Sequence, residues 1–433
     1  MKLNPKAIRY LTSEDWRVLT AVETGSRNHE VVPTTLITQL AGLRGGSGVH
    51  KSISALAKVN LIAKVKNAKY DGYRLTYGGL DYLALNSHRK SSTVYSLGNQ
   101  IGVGKESDIY VVAAESGRQC VLKVHRLGRI SFRTVKANRD YLRNRSTGSW
   151  MYLSRLAAMK EYAFMQALRR EGFPVPEPLG QSRHTIVMEF IDAFPLRQID
   201  SVPDPASLYA ELMEIIVKLA RVGLIHGDYN EFNLLIKEVP SANGEVKLVP
   251  ILIDFPQMLS ITHQNAKFYF DRDVACIKRF FLRRFKFETS EPGPFFADAI
   301  KESDKTTRLD VEVEATGFNK KMAKDLDRYI ETVGRGDGTE EESGNQNEGE
   351  ESEEGEEDQE EGQEEDQEEV EDDAVPDEAP ADGEIELQED EAATTWRPGQ
   401  QAQFAFEPLG FSEEKSSSTP RVQTSKKQSG WSI

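Results

Sequence analysis

The sequence predicts an α+β fold in three parts: a small unit over residues 1–90, a larger one over 91–335 and an acidic tail over 336–433. Three observations carry this reading. Residues 1–90 show helix-start signals followed by a short hairpin. From about residue 91, short apolar strands come first and long amphipathic helices after them. Residues 337–391 hold 30 Asp or Glu and no Lys or Arg. The 433-residue chain has a formal net charge of −16, but without that block 40 acids face 54 bases, a net of +14. The rest of the chain is therefore basic, which suits a polyanionic partner such as RNA. The block itself has too few apolar residues to offset its chain entropy and is expected to be disordered.

Ser13 is placed to cap a first helix, with Glu14 and Asp15 in the first turn and Trp16, Leu19 and Val22 on one face. The run PTTL at 33–36 opens a second helix, with threonine caps, and a third runs through 50–57. Residues 61–65 and 73–76 read as strands around a tip at 67–72, and a further helix closes the unit from Thr76. Helices followed by a hairpin with a basic tip resemble a winged helix, a module that often reads nucleic acid. The third helix is only mildly basic, so a packing or docking role stands beside that one.

In the larger unit, 99–101 and 108–113 alternate around a glycine turn, and 119–124 is a further strand. A long amphipathic helix at 151–168, a strand at 185–191 and a helix at 208–222 follow. In FNKKMAKDLDRYIETV, 318–333, Phe318, Met322, Leu326 and Ile330 form one stripe, expected to close this unit or to pack on the first. Phe404-Ala-Phe406 and Trp431 are candidate short docking anchors in the tail. The two cysteines, Cys120 and Cys276, lie far apart in apolar runs. Buried thiols in a reducing compartment fit this better than a metal site. There is no apolar run near 18 residues, and the start MKLNPKAIRYL lacks the apolar stretch of a secretory signal. Cytosol or nucleus is the expected location.

Four pieces carry chemistry. In IGVGKESDIYVV, 101–112, Gly102 and Gly104 flank one residue in a turn where backbone N–H groups can cradle a phosphate, and Ser107 stands where a third glycine is usual. In CVLKVHR, Lys123 lies within an apolar strand and needs a partner, which Glu161 on the following helix offers. Arg155 and Lys160 on that helix read as surface charges. In LIHGDYNEFNLLI, 224–236, Asp228 and Asn233 have the five-residue spacing of a loop that handles a substrate proton and binds magnesium. Asp254 ends the apolar strand 248–253, a place that suits a magnesium ion on phosphates, and Pro256 stiffens the turn after it. Each piece alone has a plain structural explanation; the four in this order point to phosphoryl transfer.

Together IGVGKESDIY, HGDYNEFN, LIDFP and the N-terminal module resemble the RIO family of atypical protein kinases, in its winged-helix-bearing second subfamily. The resemblance covers about residues 1–335. It implies a compact two-lobed, protein-kinase-like domain that binds ATP and magnesium and is classed as a serine/threonine kinase. It also implies a role in maturation of the small (40S) ribosomal subunit, with pre-40S rRNA and proteins as partners, in cytoplasm and nucleus. Carried over, Lys123 binds ATP, with Gly102, Gly104, Lys105 and Ser107 in the loop above it. Asp228 is the catalytic aspartate, Asn233 and Asp254 hold metal, and the backbone at Glu189 and Ile191 meets adenine. Asp254 is also expected to accept the phosphoryl group transiently, which would make the enzyme an ATPase switch.

The insertion at 125–150 resembles the family's flexible loop. Its bases Arg126, Arg129, Arg133, Lys136, Arg139, Arg143 and Arg145, with KRFFLRRFK at 278–286, are candidates to meet rRNA phosphates. Two other functions stay open: a small-molecule phosphotransferase of the aminoglycoside or choline kinase kind, which shares HGDxxxxN and a later IDF, and a non-catalytic assembly factor. The N-terminal module argues against the first and the intact Lys123, Asp228, Asn233 and Asp254 against the second.

Overall fold

The computed structural model describes residues 3–43, 46–65, 70–127, 147–240, 246–301, 308–315, 326 and 406–409. The first helix, α1 (Ser13–Gly25), is capped one residue earlier than expected. Thr12 accepts from the Asp15 N–H while Asp15 returns a bond to the Thr12 N–H, a reciprocal pair that Ser13 could not make. Helix α2 (Thr34–Ala41) has Pro33 at its cap position, with no side-chain bond, so the threonines lie inside the helix. Helix α3 (Gly46–Lys58) follows. Strands β1 (Val32–Pro33), β2 (Ile62–Lys64) and β3 (Gly72–Leu75) form an antiparallel sheet in the order β1-β3-β2. Residues 66–69 of the hairpin tip lie outside the described residues. Thr76 then caps α4 (Tyr77–Lys90) by accepting from the Gly79 N–H.

Strands β4 (Ser96–Val103), β5 (Ser107–Ala113), β6 (Gln119–His125), β7 (Pro178–Ser182) and β8 (Thr185–Glu189) form the sheet of the N-terminal lobe, in the order β4-β5-β6-β8-β7. Every pairing in it is antiparallel. Helix α5 (Thr147–Arg170) packs against it. The C-terminal lobe holds β9 (Phe194–Pro195), α6 (Pro205–Arg221), β10 (Leu224–Ile225), β11 (Leu234–Pro240), β12 (Val246–Leu252), β13 (Leu259–Ser260) and α7 (Ala266–Phe285). Short helices α8 (Phe296–Lys301) and α9 (Leu309–Ala315) complete it. Helix α6 begins where Asp204 accepts from the N–H groups of Ala206 and Ser207 and Pro205 takes the first turn. Its buried stripe of Leu208, Leu212, Ile215, Ile216 and Leu219 joins Phe270, Ile277 and Phe281 of α7 in this lobe's core.

The small N-terminal unit is not separate in packing. Leu19, Ile37 and Leu56 belong to the same buried core as Tyr110, Leu122 and Val187 of the lobe's sheet. Polar bonds reinforce the seam. Asp81 of α4 takes two bonds from Arg126, both 2.7 Å, and one of 2.8 Å from His184. Arg126 also reaches Asp108 at 3.3 Å, and Arg183 grips Glu23 at 2.6 and 2.7 Å. Burial works against the charges on Arg126 and Asp81. Their mutual attraction outweighs it, raising the arginine's pKa and lowering the aspartate's.

This corrects two expectations. Arg126 is 5% exposed and ion-paired, so it is no phosphate contact, and Lys160 is buried rather than a surface charge. The other bases of the insertion, Arg129 to Arg145, lie outside the described residues, as do the acidic block, Phe404 and Trp431. Of the expected stripe at 318–333, Leu326 alone is described; it is buried against Trp150, Leu153 and Leu156 of α5, with Tyr77 of α4 beside them. Cys120 is buried but Cys276 is only partly so. Among the described residues no helix is long and apolar enough to cross a membrane.

Candidate active site

Lys123 sits in the middle of the sheet, between Ile109 of β5 and Ile186 of β8. Residues i and i+2 of a strand share a face, so Lys123 and His125 point the same way, toward α5. There they meet one carboxylate. Lys123 Nζ donates to Glu161 Oε1 at 2.8 Å, and His125 Nε2 lies 2.9 Å from Glu161 Oε2. Glu161 is 1% exposed, with buried Ala158 and Met165 one turn away on either side. Burial alone would raise its pKa; Lys123 and His125 overcome that and hold it down to about 2. Lys123 Nζ donates a second bond, of 2.9 Å, to Asp254 Oδ1. The two partners differ: Glu161 is sealed in, whereas the Asp254 side chain is 41% exposed. A phosphate entering the cleft would compete for the ammonium with Asp254, not with Glu161.

Asn233 and Asp254 are neighbours because β11 and β12 form a hairpin. The ladder runs from Pro240↔Val246 to Leu234↔Leu252, and one more bond, Ile253 N–H to Asn233 O at 3.1 Å, carries it to the open end. Residues on either side of that end are brought together although they are far apart in sequence. Asp254 has a φ of +70°, left-handed for a residue with a side chain. The fully buried Phe255 ring and Pro256 follow it.

Asp228 is held by amides. Asn233 Nδ2 donates to its Oδ2 at 2.7 Å and to its carbonyl at 2.9 Å, and Asn230 Nδ2 donates to its Oδ1 at 2.9 Å. Because Asn233 uses its nitrogen here, its amide oxygen is the atom left for a cation. Burial first and the negative charge of Asp254 second push Asp228 up to about 6. An acid poised near neutrality in a cleft has the properties of a proton acceptor.

Four residues to which sequence reading gave no individual role hold this loop. Asp273 of α7 accepts from the N–H groups of Gly227 and Tyr229, at 2.8 and 3.0 Å, and Arg272 donates to the Gly227 carbonyl. Gly227 has a φ of +78°, and a β-carbon there would lie 2.8 Å from the Gln257 carbonyl, so glycine is required. His226 Nδ1 accepts from the Asp228 N–H at 3.2 Å, which places its proton on Nε2, facing the Ile253 carbonyl at 3.3 Å. Burial lowers His226 to about 4, so the ring is neutral at pH 7. A signal for Asp273 existed: it is an acid on the buried stripe of Phe270, Val274 and Ile277.

Above the cleft, Gly104 N–H donates to Ser107 O at 2.7 Å and closes the β4–β5 hairpin. Gly102 lies within β4, opposite Ile109, so the turn proper starts after Val103. Lys105 is exposed at its tip. Glu189 ends β8, its N–H and carboxylate both bonded to Glu177 of the neighbouring segment; Ile191 lies just beyond, where the chain passes between lobes. The expected strand 185–191 therefore stops at Glu189.

Among the described residues no three His, Cys, Asp or Glu side chains converge as a complete metal site. Magnesium takes one or two carboxylates and completes its shell with water and substrate phosphates, and Asn233 and Asp254 offer an amide oxygen and a carboxylate at the open end of the hairpin.

Comparisons agree with this architecture. Residues 108–292 match the RIO domain and residues 8–91 the Rio2 N-terminal domain. A serine/threonine-protein kinase rio2 of Schizosaccharomyces pombe is 58% identical over 329 residues, covering 76% of this chain and 92% of that one. The Saccharomyces cerevisiae RIO2 kinase is 50% identical over 347 residues, 77% of this chain and 81% of the relative. A crystal structure of the Chaetomium thermophilum Rio2 kinase in an ADP/Mg2+-phosphoaspartate complex superposes with a TM-score of 0.73 at 66% identity, over 77% of this chain and 100% of that one. With an N-terminal Rio2 domain fused to a RIO domain, and with a relative 58% identical over 92% of its length, the chain belongs to the Rio2 family of serine/threonine-protein kinases.

Proposed function

We propose that this chain is an ATP- and magnesium-dependent serine/threonine kinase and ATPase that acts in maturation of the small ribosomal subunit, in cytoplasm and nucleus. One observation supports the chemistry above the rest: Lys123, fixed by buried Glu161, reaches Asp254 beside the Asp228–Asn233 loop. Lys123 would bind the α- and β-phosphates, and Gly102, Gly104, Lys105 and Ser107 would cover them. The backbone around Glu189 and Ile191 would meet adenine. Asn233 and Asp254 would hold magnesium, which neutralises phosphate charge as the γ-phosphoryl group leaves. Asp228 would accept the proton of the attacking hydroxyl or water.

Asp254 is our candidate for a transient phosphoryl acceptor. One of its carboxylate oxygens would form the bond to γ-phosphorus as the bond to the bridging oxygen breaks and ADP leaves; water then releases phosphate. The Chaetomium relative, crystallised as a phosphoaspartate complex, supports the reading. The test is acid-quenched protein incubated with γ-labelled ATP and magnesium. Label should be stable in acid, released by hydroxylamine and absent from Asp254→Asn. Label resistant to hydroxylamine, or retained by that variant, would remove Asp254 from this role.

Pre-40S rRNA and proteins are the proposed partners. The support is the +14 charge outside the acidic block and the exposed Arg279, Arg283 and Lys286 of the run 278–286. Binding to pre-40S particles should weaken steeply with salt. Affinity unchanged between 50 and 200 mM salt would count against a phosphate-reading surface.

A further inference from the structure

After the acidic block the chain returns to the N-terminal lobe. Strand β14 (Glu407–Pro408) adds to the free edge of the lobe's sheet, pairing antiparallel with Leu97 and Ser96 of β4. The Leu409 N–H donates to the Tyr95 carbonyl at 3.0 Å, extending the pairing by one residue.

Three of the four residues fit this place individually. The Phe406 ring lies over Gly98, where a β-carbon would be 3.0 Å from the ring and 3.0 Å from the Val111 carbonyl; an aromatic ring covering a strand glycine is a known device for shielding such a gap. The β4–β5 register shifts between Leu97 and Gln100, around that same glycine. Leu409 is 1% exposed and joins the core shared by the N-terminal unit and the sheet. Pro408 has no N–H to offer a further strand, and its carbonyl accepts from Arg9 Nε at 2.8 Å. The outer side of β14 is thus a poor template, which is how sheet edges resist unwanted pairing.

We infer that residues 406–409 are an intramolecular latch: a short edge strand of the chain's own tail that occupies a strand-accepting site on β4 and bridges the sheet to the N-terminal segment at Arg9. The claim is independent of the catalytic reading. So short a strand is marginal alone, and docking depends on the tether that keeps it close. Release would uncover a β4 edge able to take an extended segment from another chain.

Hydrogen exchange on the full-length protein tests this. Phe406→Ala/Leu409→Ala should speed exchange in the peptide spanning 94–99 by about 5- to 30-fold, the factor that loss of a small cooperative contact carries, with exchange in α6 unchanged. Equal exchange at 94–99 overturns the latch. If α6 also exchanges faster, the fold itself has loosened and a second chain decides. Full-length Ser96→Cys/Pro408→Cys should form an intrachain disulfide under mild oxidation, seen as faster migration on a non-reducing gel. A disulfide-linked dimer, or no disulfide, overturns it.

Discussion

Two aspartates, both taken largely out of water, titrate in opposite directions. Asp81, in the seam between the N-terminal unit and the sheet, has a pKa below the usual carboxylate value; Asp228, in the cleft, is pushed up to about 6. Burial alone cannot explain this, since Asp81 is 3% exposed and Asp228 is the more open of the two. Their partners differ. Asp81 faces a guanidinium in two-pronged contact and a histidine, whereas Asp228 has two side-chain amides and a second acid nearby. In the seam each buried acid is bonded by a guanidinium, whereas Asp228 has none bonded to it. The cleft leaves negative charge uncompensated, and a cation with its phosphates would complete it.

The largest way to break this comparison is at Asp228. Asp228→Asn keeps the shape and removes the carboxylate proposed to accept the proton, so ATP turnover should fall by about 10²–10⁴-fold, with the thermal midpoint at pH 7 not lowered. Turnover within tenfold of the parent would mean that the cleft's surplus charge does no chemistry.

The matching change in the seam should act on stability. Arg126→Ala strands Asp81 and Asp108 as buried acids and should cost about 3–5 kcal/mol, read from urea unfolding. Arg183→Ala, at the partly open Glu23 pair, should cost less, about 1.5–3 kcal/mol. An Arg126 effect no larger than that of Arg183 would mean that the seam is not a closed charge cluster.

The pH dependence sharpens the contrast. The folded-state pKa of Asp228 lies above its unfolded value of 3.8, so the folded protein binds the extra proton. Compared with Asp228→Asn, the parent should therefore gain stability as pH falls from 7 through about 6 toward 4. For Asp81 the sign reverses: its folded pKa is lowered, and its contribution should be lost as pH falls below the normal carboxylate range. Asp254→Asn should bring Asp228 back down, because it removes the neighbouring charge. Urea midpoints across pH, measured without metal, check all three.

The smallest expected change is at Asn230. Asn230→Ala removes one donor from the Asp228 carboxylate and should raise its apparent pKa by roughly half a unit, the size expected for one modest hydrogen bond. The acid limb of the kcat/KM profile should move by that amount, with Asn233 still in place.

How far the sequence could be read follows from where each partner lies. Lys123, Glu161, Asp228, Asn233 and Asp254 announced themselves because each is a polar residue interrupting an apolar run. Arg126 was misread because its partner, Asp81, is 45 residues away in another unit, and a base in a basic run looks like a surface base. Asp273 was given no role, because the two backbone N–H groups it holds lie 46 and 44 residues earlier in the chain. The cap of α1 was misplaced by one residue because Thr12 and Ser13 are both competent and only the return bond from Asp15 distinguishes them. Phe406 was marked as a docking anchor but not where it docks, since glycine at position 98 says nothing about which ring will cover it.

The left-handed backbone at Asp254 has a consequence for how this protein can change. A side chain in that conformation is held uphill by about 1–2 kcal/mol relative to an ordinary residue, less where a short acid bonds locally. Glycine at 254 would relieve that strain but would also remove one of the two carboxylates that hold buried Lys123. Backbone strain of this kind gathers where a side chain has a task beyond packing, which is the place our proposal gives Asp254.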